Sequence, residues 1–230
     1  MTDLTAEKNG IKMSLSHPTV PYVAPFAAFL LFLAVKSYIP YEYPVRVIVV
    51  GGLLLILSRR VISLRAARPL LSILAGVLVF AIWIGPDVLW PAYRQHWLFN
   101  NAVIGSARSS LHPDAAGDPV FLFFRIMGTA LLVPIIEELF WRGWLMRFLI
   151  SPHFEKVALG AFSAFSFWLT AILFASEHGP YWEVGLLAGI AYNAWMIKTK
   201  SLGDCILAHA VTNASLAAYV LAAGQWQYWL

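Results

Sequence analysis

Charge is what this chain has least of. Only 12% of its 230 residues are Asp, Glu, Lys or Arg, against about 25% in a soluble domain. With 60% hydrophobic residues and a strongly positive mean hydropathy, a soluble globule is excluded. An all-α, polytopic transmembrane helical bundle is expected instead. Cysteine is nearly absent too. Cys205 stands alone, so no intramolecular disulfide can form and the redox compartment is unmarked. Three catalytic patterns are missing. No Gly-x-Ser-x-Gly is present, which argues against a serine nucleophile on an elbow. No His-Glu-x-x-His is present, which argues against a zinc helix of that type. Gly203-Asp204 lacks the first glycine of Gly-x-Gly-Asp, which weakens an aspartyl chemistry. No internal repeat, low-complexity segment or second domain is visible. The net charge of +4 does not point to nucleic acid, because the basic residues flank apolar runs as the positive-inside rule places them.

Residues 1–20 read as a polar leader with Lys8 and Lys12, and residues 21–230 as one membrane-embedded domain. No short apolar core with a cleavage site precedes the first span, so a cleaved signal peptide is not expected. Apolar runs place spans at 22–39, 45–57 and 70–90. A fourth starts at Asp118-Pro119, a good N-cap and first helical residue, and runs through Pro134. Further spans follow at 157–176, 182–197 and 202–222. Dividing the 120–150 run near Pro134 or at its end would make eight. Arg59, Arg60, Arg65 and Arg68 form the densest basic cluster. Seven spans with a cytoplasmic N-terminus put this cluster, Lys198 and Lys200 inside. Gly185-x-x-x-Gly189 offers a close helix contact. The longest polar stretch, 91–117, holds Arg94, His96, Arg108, His112 and Asp114. Trp90, Tyr181, Trp182, Trp226 and Trp229 at span ends fit interfacial belts.

The stretch from Pro134 to Arg142 organises the rest. A charge near a bilayer centre costs roughly 2.5–3.5 kcal/mol on insertion scales, so Glu137, Glu138 and Arg142 inside an apolar run must be paired or given work. Glu138 and Arg142 are i and i+4, one turn apart on one helix face. Glu137 points about 100° away and is free of that pair. Pro134 has no N–H, so the Ala130 carbonyl is expected to lose its helix partner and the helix to bend. Two more polar pairs lie in apolar runs: Phe174-x-x-x-His178, with Glu177 beside it, and His209-x-x-x-Asn213. Read blandly, these are an ion pair, a helix cap and interhelical hydrogen bonds. Read chemically, a carboxylate and an imidazole can share the activation of one water. A second imidazole and an amide N–H can donate to a developing oxyanion. Those parts suffice for attack of water on a peptide carbonyl. One conflict stands. Helix rise places Glu137 and His209 mid-depth but His178 near the outer end of its span, so their convergence requires a shifted boundary or a broken helix.

Glu137-Glu138-x-x-x-Arg142, Phe174-x-x-x-His178 and His209-x-x-x-Asn213, in that order, resemble the three motifs of the CPBP family. These are the CAAX-processing and bacteriocin-processing membrane proteases, also called Abi, whose eukaryotic members are the type II CAAX prenyl endopeptidases. The resemblance covers about 120–222. Thr199-Lys-Ser-Leu-Gly also resembles the family's lead-in to the last histidine. Within the family the chain looks most similar to bacterial CAAX prenyl protease-related proteins found with exosortase sorting systems. The resemblance implies a glutamate-type intramembrane endopeptidase in a bacterial inner membrane. Its substrate would be a protein or peptide cleaved near a membrane-embedded or lipidated segment. Glu137 and His178 would activate water, His209 and Asn213 would form the oxyanion site, and Glu138 would pair with Arg142. No cofactor is implied. A zinc variant using His178, His209 and Glu137 is the alternative within the enzyme class. A non-proteolytic immunity or sorting factor, or a transporter, is the alternative outside it. Residues 1–119 match nothing in the family pattern, and its described members have about eight helices.

Overall fold

A computed structural model describes residues 17–39, 41–109, 111 and 113–229, the side chains of Pro113 and Asp114 excepted. Most of the expected leader, with Lys8 and Lys12, lies outside the described residues, as do His112 and the Asp114 side chain. Among the described residues, seven helices occupy the seven apolar runs. They are α1 (Val20–Val35), α2 (Glu42–Leu53) with a wide π-helical turn at Leu54–Ser58, α3 (Pro69–Leu89), α4 (Pro119–Phe148), α5 (Ala164–Ser176), α6 (Trp182–Thr199) and α7 (Leu202–Ala223). The only β pairing among the described residues is one isolated bridge, Asn101 to Gly105. Among the described residues, four helical segments are long and apolar enough to cross a membrane: Val20–Tyr38, α3, α4 and α7. The 120–150 run is not split. It forms one helix of 30 residues, so no eighth span arises there.

The outer sides of these helices remain apolar and exposed. Leu31, Ile56, Leu70, Leu78 and Phe165 are each more than half exposed. So much bare apolar surface suits a lipid solvent and not water. Inside, small residues let helices close up. A Cβ at Gly76 of α3 would collide with the Ala208 carbonyl of α7, and one at Gly189 of α6 would lie 3.2 Å from the Ala171 Cα of α5. The expected Gly185-x-x-x-Gly189 contact is thus made, against α5 and the turn that follows it.

Asp118 caps α4 as expected, its Oδ1 accepting from the Val120 N–H at 2.9 Å. The cap of α3 comes from elsewhere in the chain. Asp204, fully buried near the start of α7, accepts from the Ala67 N–H at 2.6 Å, the Arg68 N–H at 2.9 Å and the Ser72 hydroxyl at 2.6 Å. That carboxylate satisfies backbone donors that a helix start leaves orphaned. It also fixes α3 to α7 at one end of the bundle.

Helix α5 corrects a boundary. The run from 157 becomes helical only at Ala164, and its 13 residues reach about 20 Å at 1.5 Å per residue. A hydrocarbon core is about 30 Å thick. The helix therefore ends at a depth within the bundle, and His178 just beyond it falls there and not at the outer edge. The depth conflict in the sequence is removed by a short helix, without a break in any other.

Asp204→Ala is expected to lower thermal stability in detergent by about 2 kcal/mol or more, because it strands buried donors at the α3 start. Asp204→Asn, which keeps an acceptor oxygen, should lose less. Melting followed by intrinsic fluorescence checks both, and equal melting of Asp204→Ala and wild type would remove the cap's role.

Candidate active site

Helix α4 carries the first three candidate residues on an irregular backbone. Wide π-helical turns at Gly128–Leu132 and Leu139–Leu145 flank a short regular stretch, Val133–Glu138. Such turns arise where a helix gains a residue per turn, and they frequently mark functional sites. The first one corrects the expectation for Pro134. The Val133 N–H bonds to the Gly128 carbonyl, so the register is widened by one residue. The carbonyl that Pro134 then leaves without a helix donor is that of Thr129, not Ala130. Asn213 of α7 takes it, donating from Nδ2 at 2.9 Å.

Glu138 and Arg142 pair as their spacing requires. Both are fully buried, with Arg142 Nη1 donating to Glu138 Oε1 at 2.9 Å. The rest of the guanidinium is also engaged. Nε donates to Asn193 Oδ1 at 3.0 Å and Nη2 to the Gly189 carbonyl at 3.3 Å, both on α6. The Phe174 ring lies 4.7 Å from Cζ. Asn193 is held in turn, donating to the Phe167 carbonyl at 2.8 Å. A guanidinium in hydrocarbon survives because its donors meet acceptors and its charge meets a carboxylate.

The same Glu138 oxygen also meets His209. The imidazole Nδ1 lies 2.9 Å from Glu138 Oε1. A carboxylate only accepts, so Nδ1 carries the proton and Nε2 is turned the other way. Nε2 lies 4.0 Å from Glu137 Oε2, too far for a direct hydrogen bond. Tyr192 stacks on the ring with centroids 5.0 Å apart and planes 22° from parallel. Its hydroxyl donates to Thr212 Oγ1 at 2.7 Å, and Thr212 donates to the Gly76 carbonyl at 2.8 Å. His209 is thereby fixed at its edge and its face.

His178 is oriented by its own backbone, with Nδ1 2.7 Å from the Phe174 carbonyl. A carbonyl only accepts, so Nδ1 is again the protonated nitrogen and Nε2 the one left over. Trp83 meets the ring edge-on at 5.1 Å. Gly185 makes room for it, since a Cβ there would come within 3.1 Å of the imidazole.

Four of the six sequence candidates, Glu137, His178, His209 and Asn213, line one cavity of about 140 Å³. That volume holds a few water molecules. Glu137 is 8% exposed, and its Oε2 has no hydrogen-bond partner among the described residues. The helix sends adjacent glutamates to different duties, as the sequence reading expected: Glu138 into the ion pair, Glu137 to the cavity. Glu177 lies outside the cavity lining and accepts from Trp141 Nε1 at 3.1 Å. The residues that sequence reasoning missed are Asn193, Tyr192 and Thr212. Asn193 carried a readable signal, a lone amide within the apolar run 182–197. Tyr192 and Thr212 carried none, because their roles depend on which helices meet. The proposed zinc set, His178, His209 and Glu137, is not drawn into a three-ligand cluster. No such group exists among the described residues.

Residues 119–215 match the model of the family described as type II CAAX prenyl endopeptidase Rce1-like. The match is less than half of the chain, yet it holds all six candidate residues. It begins at the first residue of α4 and ends within α7. The Rce1-like region is similar to a CAAX intramembrane protease, and together with the apolar helices it points to an integral membrane protein. Neither a curated protein nor a solved structure matches the chain.

Glu138→Gln or Arg142→Met alone is expected to cost about 3–5 kcal/mol, because each leaves a buried charge uncompensated. The double variant Glu138→Gln with Arg142→Met should recover part of that loss. Folded yield and melting temperature in detergent check this, and strictly additive losses would show that the pair is not coupled.

Proposed function

We propose that the chain is a glutamate-type intramembrane endopeptidase that cleaves a peptide bond near a membrane-embedded or lipidated segment. One observation carries the reading. Inside the stretch that matches a protease family, Glu137, His178, His209 and Asn213 face one buried cavity while Glu138 is consumed by Arg142. The chemistry follows from which atoms are free. The Glu137 carboxylate takes a proton from a water molecule, and His178 Nε2 accepts that water's second hydrogen and orients it. The water oxygen attacks the scissile carbonyl carbon. The oxyanion that forms receives hydrogen bonds from the Asn213 amide and from His209 Nε2–H. His209 donates there only as an imidazolium, since its Nδ1 proton is committed to Glu138. In that state two carboxylates face one guanidinium and one imidazolium, and the cluster is neutral as a whole, which a low-dielectric setting favours. Glu137 then passes its proton to the departing nitrogen, the C–N bond breaks, and a carboxylic acid and an amine are released. No resident cofactor takes part. The proposal extends, from the likeness of the motifs, to a bacterial cytoplasmic membrane and an exosortase sorting system, and, from the basic residues that flank the spans, to an N-terminus inside.

Glu137→Gln is expected to reduce cleavage of a prenylated or membrane-peptide reporter by about 10²–10⁴-fold with melting unchanged. Asn213→Ala should lose about 10²-fold or more, with some loss of stability from the stranded Thr129 carbonyl. Reporter turnover by purified protein in detergent, with and without chelator, checks both. Full activity of Glu137→Gln would sink the mechanism. A phenotype in cells that survives it would favour a non-proteolytic role.

A further inference from the structure

A second cavity, of about 610 Å³, opens where α1 ends and where α2 and α4 begin. Its walls are apolar in large part, with Leu33, Pro44, Val120 and Phe121 among them. Lys36, Arg46 and Arg125 set three cations against the carboxylates of Glu42 and Asp118. Asp118 is already engaged as the α4 cap.

Arg46 decides what the cavity is for. It is 4% exposed, with its guanidinium between the rings of Phe29 at 4.9 Å and Tyr43 at 4.5 Å. Glu42 Oε1 lies 3.2 Å from Nε but off the N–H direction, and neither Nε nor Nη1 has a hydrogen-bond acceptor. Buried donors are normally satisfied, and charged ones above all. Arg142, by contrast, has an acceptor for each of Nε, Nη1 and Nη2. Arg46 instead lines a cavity, its charge beside Glu42 but Nε and Nη1 without a hydrogen-bond acceptor, and a guanidinium with donors to spare suits the oxygens of a phosphate or carboxylate.

Position narrows the choice of anion. The cavity lies at helix ends, the level of a bilayer's polar boundary. Beside it run exposed apolar side chains, Leu30 and Leu31 on α1 and Val120 and Phe123 on α4. With the N-terminus inside, this end lies at the outer face, and cations set between helices there can meet the phosphate of an outer-leaflet lipid. We propose that this cavity binds the phosphate headgroup of an anionic membrane lipid, gripped by Arg46 and Lys36, with the acyl chains along α1 and α4. The site adjoins the proposed cleavage cavity at Arg125, which lines both, but Arg46 and Lys36 line only this one, and its test reads binding alone.

The test uses the purified full chain in detergent with phosphatidylglycerol, phosphatidylcholine or inorganic phosphate, read by native mass spectrometry and by melting. Phosphatidylglycerol should give a one-to-one adduct and raise the melting temperature by several degrees, with phosphatidylcholine and inorganic phosphate doing neither. Arg46→Gln should lose adduct and shift together. Lys36→Gln, at an exposed position, should fold normally and weaken phosphatidylglycerol binding by at least about threefold; it decides the matter if Arg46→Gln fails to fold. Equal stabilisation by inorganic phosphate would make this a free-anion site and overturn the lipid assignment. So would equal binding of phosphatidylcholine, or unchanged binding by the variants.

Discussion

One oxygen atom carries much of this structure. Glu138 Oε1 is 2.9 Å from Arg142 Nη1 and 2.9 Å from His209 Nδ1, and so it joins two turns of α4 to α7. Through the Arg142 contacts with Gly189 and Asn193 it joins them to α6 as well. In hydrocarbon each of these groups alone would be costly. Their charges and donors are satisfied only when the three helices meet in one arrangement. The apolar surfaces of α4, α6 and α7 would tolerate sliding past one another, but the buried polar set would not. Packing brings the helices together, and Glu138 sets their register.

That register makes the cavity possible. With Glu138 fixed, the adjacent Glu137 is forced round the helix to the other side, where no protein group answers its Oε2. With His209 Nδ1 committed to Glu138, its Nε2 must face away from the ion pair. His178 obeys the same logic with a backbone carbonyl in place of a carboxylate. Each atom left free toward the cavity is defined by the engagement of its neighbour. The short α5 supplies the last condition. It brings a polar turn down to the depth of the ion pair, and a full-length span would have carried His178 past it.

Much of this was legible in the sequence, for identifiable reasons. Seven apolar runs mapped onto seven helices because hydrocarbon leaves helices as the open choice for spanning segments. The division of labour between Glu137 and Glu138 followed from helix geometry and the price of an unpaired charge. What was not legible depended on chain segments far apart in sequence. Asp204 looked like a fragment of a catalytic pattern, yet it caps α3, some 130 residues earlier in the chain. Thr212 and Tyr192 are unremarkable residues in apolar runs until α3, α6 and α7 are placed side by side. The orphan carbonyl moved from Ala130 to Thr129 because a wide turn preceded Pro134, and a proline signals a missing donor without saying which register the helix adopts around it.

The wide turn also explains how one helix can face one cavity over so great a length. Arg125, Thr129, Val133 and Glu137 all line it, at intervals of four. In a regular α-helix four residues turn about 400°, so each step drifts about 40° and three steps carry the stripe about 120° round the axis. Arg125 and Glu137 would then point in quite different directions. A π-helical turn holds more residues and rotates less for each one, so the turn at Gly128–Leu132 opposes that drift and brings the four positions back toward one side. The irregularity in α4 is therefore what lets its polar residues act together, and Pro134 with Asn213 is what stabilises the irregularity. Proline forbids the donor that would restore a regular register, and the Asn213 amide satisfies the carbonyl that the wide register exposes. Asn213 thus lies where the shape of α4 and the lining of the cavity are decided at once.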